Sequence, residues 1–125
     1  MFDKMLTGNS ASAKTIVSEL NIAKTVKSGD LDVFSTPMMI ALMEQAACNC
    51  MSLNEGESSV GTYISAEHLA ASGLGAEITA TATITEIEGR KVTFDVTAKD
   101  NDKEIGKGTH VRFVIDAERF MSKVK

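Results

Sequence analysis

In STPMMIALMEQAACNCM, Ser35 to Met51, Glu44 is the only charged residue in a run of Met, Ile, Leu, Ala and Cys. A carboxylate held where water is scarce has its pKa raised by desolvation, which makes it a useful base or nucleophile. It is tolerated there only if it finds hydrogen-bonding partners. Two side chains can supply them. Thr36 lies eight residues upstream at the head of the same run, and His68 lies in VGTYISAEHLA. Each of the three also has a plainer reading. Thr36 can cap a helix, Glu44 can reach water from a helix margin on its flexible stem, and His68 can be a satisfied core residue.

The elements that must hold these groups follow from local pattern. Ser35 or Thr36 sits at a helix N-cap with Pro37 just inside, a start signal in which the hydroxyl accepts from a free N–H and proline presets φ. The predicted helix runs to about Leu53, where NEGESS supplies turn residues. At about 100° per residue, Gln45, Asn49 and Ser52 fall roughly 80° to 140° from Glu44. Ile40, Ala47 and Met51 fall within roughly 60° of it, so Glu44 leans toward the apolar side. In the strand that carries His68, alternation puts Ile64, Ala66, His68 and Ala70 on one face, and the imidazole toward the packed side. His110 contrasts with it. In GKGTHVRFVI, Val111, Phe113 and Ile115 share one face, which leaves His110 exposed or interfacial with no chemistry assigned.

The rest of the chain reads as strands. TIVSELNIAKTV, residues 15–26, has the β-branched character of a first strand. After the helix come strands at 60–70, 76–88, 91–100 and 104–116, joined by SGLG, EGRK and DNDKE turns, with DAERFMSKVK as a short terminal helix. Tight turns impose antiparallel neighbours. The predicted class is α+β: one domain over 1–125, a curved antiparallel sheet wrapped around one long central helix.

Composition narrows the function. Hydrophobic residues make up 43% of the chain while aromatics make up 5% and Trp is absent, so the core must rest on aliphatic side chains and seven Met. The net charge of −4 argues against a general nucleic-acid binder, which needs a basic face. Cys48 and Cys50, two apart on a helix, point to different sides; they read as small buried thiols, neither disulfide-bonded nor metal-binding. The leader MFDKMLTGNSASAK has no long apolar run, and no segment approaches the roughly 20 apolar residues of a membrane span, so a cytoplasmic protein is expected.

The chain resembles the hotdog-fold thioesterases, closest in pattern to the fluoroacetyl-CoA thioesterase family. The resemblance runs through VFSTPMMIALMEQAAC, VGTYISAEHLAASGLG, IEGRKVTFDVTAKD and IGKGTHVRFVI. It implies hydrolysis of an acyl-CoA by a catalytic Thr36, Glu44 and His68, with Gly61 near the thioester and Arg112 as a supporting arginine. It implies no metal and no cofactor beyond the coenzyme A of the substrate, and a homodimer whose sheets join side by side, with further pairing into tetramers left open. Glu44 would attack the carbonyl or draw a proton from water, and these alternatives stay open. The link KSGDLD before Phe34 is short and lacks the lid phenylalanines of the fluoroacetyl specialist, so another short or medium acyl group is expected. Arg90, Lys91, Lys99, Lys103 and Lys107 are available to the phosphates without any one being assigned. A non-catalytic acyl-CoA-binding protein and a hotdog hydratase or dehydratase are the rival readings.

Overall fold

A computed structural model describes residues 5–124. The first residues of the leader and Lys125 lie outside the described residues. The helix that carries Glu44 comes first in importance. Ser35, not Thr36, is its N-cap: the Ser35 hydroxyl accepts from the Met38 N–H at 3.3 Å, and α2 runs Thr36–Cys50 with Pro37 in its first turn. Met39, Leu42, Met43, Ala46, Ala47 and Cys50 form its buried stripe, while Gln45 and Asn49 face out as the wheel requires. It ends at Cys50, short of Leu53, because Met51 turns to extended backbone.

Around it curls a five-stranded antiparallel sheet in the order β1-β3-β4-β5-β2. The strands are β1 (Ser10–Ile16), β2 (Glu57–His68), β3 (Glu77–Glu88), β4 (Lys91–Asp100) and β5 (Lys103–Asp116). Register shifts at Gly61/Tyr63, Ile84/Glu86 and Ala98/Lys99 bend the ladders, and such irregularities give a sheet the curvature to close over a helix. Phe34, Phe94, Met39, Met43, Ile78 and Ile84 fill the space between, a core with few rings and much thioether. A terminal helix α3 (Ala117–Ser122) is capped by the Asp116 carboxylate, which accepts from the Arg119 N–H at 2.9 Å.

Three expectations are corrected. The first strand lies at 10–16 and not at 15–26. Beyond Ile16 the side chains of Ser18 and Asn21 bond to nearby backbone, and the single-turn α1 (Ala23–Val26) follows, closed by Lys27 at φ 64°. Local bonds of this kind compete with a ladder and end it. Cys48 is exposed; only Cys50 is buried, its thiol donating to the Asn9 carbonyl at 3.3 Å and burial pushing its pKa up. His110 is not exposed or interfacial within the chain. It is 1% exposed, and with Arg112 and Val114 it faces the core side of β5.

The segment between β1 and α2 is tied down from both sides. The Ser35 N–H donates to the Asn21 carbonyl and the Phe34 N–H to the Ser72 carbonyl, and Val33 bridges to Gly73. These bonds bring the first turn of α2 to the far end of β2. Along β5, a Cβ on Gly108 would collide with the backbone carbonyl of Ser65 in β2. Gly108→Ala should therefore destabilise the fold by about 2–3 kcal/mol through the β2–β5 pair. Urea unfolding measures it, and a loss under about 0.5 kcal/mol would contradict the close approach.

Candidate active site

The charged centre is built from β5, β2 and α2. Arg112 is 8% exposed, so its guanidinium must be fully paired. Its Nε donates to the Ser59 hydroxyl at 2.8 Å and its Nη2 to the Ser59 carbonyl at 3.1 Å, which fixes the guanidinium against β2. Its Nη1 reaches Glu44 Oε1 and His110 Nε2, each at 3.2 Å. The Glu44 carboxylate is thus held by one oxygen, while Oε2 has no polar partner among the described residues. The side chain is 39% exposed in the single chain, so Glu44 sits at the margin of the helix's buried stripe and not within it.

Gly61 makes this arrangement possible. A Cβ there would stand 2.6 Å from Glu44 Oε1 and 3.2 Å from His110 Cε1, so the carboxylate would have to shift and the ring to give by a few tenths of an ångström. His110 is fixed as well. Its Nδ1 lies 2.8 Å from the Tyr63 carbonyl, which can only accept, and its Nε2 faces an arginine N–H, which can only donate. The ring is therefore the neutral tautomer with the proton on Nδ1. Burial, the largest influence, lowers its pKa; the Tyr63 carbonyl and then Glu44 pull it up by less, and Arg112 adds the smallest, downward, contribution.

The second cluster lies at the start of α2. Thr36 Oγ1 and His68 Nδ1 are 2.7 Å apart. His68 Nε2 is shut off from water with no partner among the described residues, and burial lowers the pKa of the ring. An unpartnered buried ring nitrogen costs stability, a cost that functional sites are known to carry. Beside this pair opens a cavity of about 470 Å³, lined among others by Leu31, Val33, Phe34, Leu69 and Ala70.

So the structure joins Thr36 to His68, and joins Glu44 to Gly61 and Arg112, but as two clusters. Eight helical residues separate Thr36 from Glu44, roughly 12 Å along the axis, and the partner expected of Glu44, His68, is replaced within one chain by Arg112 and His110. His110 is the member of the charged centre that strand alternation misassigned. The signal that could have found it is GKGTH: Gly106, Gly108, His110 and Arg112 share one face, and the missing Cβ of Gly106 faces Met39 of the helix.

A family model for the fluoroacetyl-CoA-specific thioesterase FlK matches residues 17–118, which include every residue of both clusters. The chain belongs to that family. The fluoroacetyl-CoA thioesterase of Streptantibioticus cattleyicolor is 44% identical over 96 residues, 75% of this chain and 69% of the relative. A solved structure of fluoroacetyl-CoA thioesterase FlK superposes with a TM-score of 0.92 at 35% identity, covering 98% of this chain and 96% of that one. A hot-dog-like protein from Thermanaerovibrio acidaminovorans superposes with a TM-score of 0.86 at 25% identity, covering 98% and 93%. The fold is thus the hotdog fold, and by family the chain is a thioester hydrolase. No helix of the described residues is long and apolar enough to cross a membrane.

The two histidines set a pH dependence. Each has a folded pKa below its unfolded value of about 6.5, so the unfolded chain binds more protons in the window between them. Stability is complete above that window and falls as pH drops below about 6.5. Urea midpoints from pH 7.5 down to pH 5 should fall for the parent and fall less steeply for His110→Asn, whose amide N–H can still serve the Tyr63 carbonyl. Equal slopes would mean that His110 titrates freely.

Proposed function

We propose that this chain hydrolyses short- or medium-chain acyl-CoA thioesters as a homodimer in which each active site is shared. The observation that carries this reading is the division of the site on one helix, with the two halves lying along one sheet-edge strand. β2 is an edge strand, and Gly61 and His68 both lie on it. A two-fold antiparallel pairing of the middle of β2 with its copy would bring His68 of the partner subunit toward the Gly61 end of the strand. Glu44 of one chain would then face Thr36 and His68 of the partner subunit.

In such a site the thioester carbonyl lies near the first turn of α2, whose free N–H groups and positive end favour developing negative charge. The free Oε2 of Glu44 faces it. By one route this oxygen bonds to the carbonyl carbon, the C–S bond breaks and water splits the resulting anhydride. By the other it takes a proton from water, which attacks directly. Either way the imidazole carries the proton that the leaving thiolate needs, and Thr36 holds the imidazole in place. The cavity beside Thr36 and His68 takes the acyl group. Its wall at Leu31 and Val33 is aliphatic, which suits a plain acyl chain better than a fluoroacetyl specialist.

Thiol release over a panel of acyl-CoA thioesters tests the activity. Glu44→Gln should cut kcat by about 10²–10⁴ with a smaller change in KM. Glu44→Gln and His68→Ala, each nearly inactive alone, should recover about a quarter of parental activity when refolded together in equal amounts, because half the dimers then hold one intact shared site. No recovery would place the whole site within one chain and refute the shared arrangement.

A further inference from the structure

A different cavity, about 250 Å³, lies at the other end of the β2–β5 pair from His68, between the strand ends and α3. Arg90, Arg119, Lys123, Phe120 and Asp116 line it. Three cations there meet one acid, in a chain whose net charge is −4. That acid is already engaged, since Asp116 caps α3. Arg90, on the β3–β4 turn, is anchored by donation from Nη1 to the Val114 carbonyl at 3.2 Å and lies 3.9 Å from Glu57, yet its side chain stays 48% exposed. Arg119 and Lys123 are four apart and exposed, with no ion pair among the described residues. Like charges at that helical spacing repel, so neither helps the fold through the other. The carbonyl end of α3 accounts for one cation there, but not for Arg90 arriving from another element.

Another candidate cation lacks such a setting. Lys107 lines a cavity of about 480 Å³ where Glu67, Asp95 and Glu104 outnumber it, which repels an anion. Phe120 adds an apolar ring, partly exposed, beside the cations. Cations set around an aromatic face suit a phosphorylated nucleotide, because the phosphates pair with Arg and Lys while the base stacks.

We propose that this cavity docks the nucleotide end of coenzyme A, with Arg90, Arg119 and Lys123 on its phosphates and Phe120 against the adenine. The assignment rests on the acyl-CoA reading above and names the cations that serve it. The reach is consistent. Arg112, which holds Glu44, and Asp116 at the cavity are four residues apart on β5, about 13 Å at strand rise. Pantetheine, with its two amides, extends over a length comparable to four or five extended residues, about 15 Å. One substrate can thus place its thioester at Glu44 and its phosphates at α3.

The test compares an acyl-CoA with the matching acyl-pantetheine thioester, using the parent, Arg119→Ala/Lys123→Ala, and Lys99→Ala/Lys103→Ala as a charge-matched control at the β4–β5 turn. The α3 variant should raise KM for acyl-CoA about tenfold at low salt and shift acyl-pantetheine by less than about twofold. The control should match the parent on both substrates. Equal changes on the two substrates, no change on either, or the same rise in the control would overturn the assignment. If the parent cleaves neither thioester, the hydrolase reading fails, and titration with adenosine 3′,5′-bisphosphate judges the cavity alone. Binding that the α3 variant loses would uphold the site; absent or unaltered binding would overturn it.

Discussion

Much of this structure is arranged around one buried guanidinium. Arg112 is out of water, and a charge there must be met by partners on every side. Ser59 meets it with a hydroxyl and a carbonyl, His110 with a ring nitrogen, and Glu44 with a carboxylate oxygen. Each partner comes at a constraint of its own. His110 must keep its proton on the Tyr63 side, and a side chain at Gly61 would press on the carboxylate and the ring. Since Ser59, Gly61 and Tyr63 all belong to β2, the arginine also locks the edge strand to the helix beneath it. The carboxylate is oriented by the same contacts that fix the edge.

The helix then acts as a ruler. Thr36 and Glu44, eight residues apart, sit about 80° around the axis and roughly 12 Å along it, so no rotamer lets one chain close them onto a single carbonyl. In the proposed dimer the two clusters are united across the side of β2 that the sheet leaves unpaired.

Most of the frame could be read from local pattern. The Ser-Thr-Pro start of α2 and the alternation in β3 and β4 are strong because cap chemistry and burial push the same way. The first strand escaped because SASAKTI carries small and charged residues that are poor strand formers, and its place is decided by pairing with β3. His110 escaped for a different reason. Polarity normally marks the outer face, and here the inner face holds a compensated charge cluster. Thr36, Glu44, His68, Gly61 and Arg112 were indicated one by one through resemblance; which of them touch, Thr36 with His68 and Glu44 with Arg112, needed three dimensions, because the elements that carry them are far apart in sequence.

The scarcity of rings in the interior carries a chemical liability. Met39 is wholly enclosed, and the space above its sulfur exists only because Gly106 has no side chain; a Cβ there would lie 2.5 Å from Sδ. Oxidation to the sulfoxide adds a polar oxygen that this spot can neither hydrate nor house. Peroxide damage to Met39 would have to await moments when α2 lifts from β5, and a damaged helix could not settle back. Redox stress would then act as a ratchet on breathing motions of the enzyme, inactivating it at a rate set by its own opening.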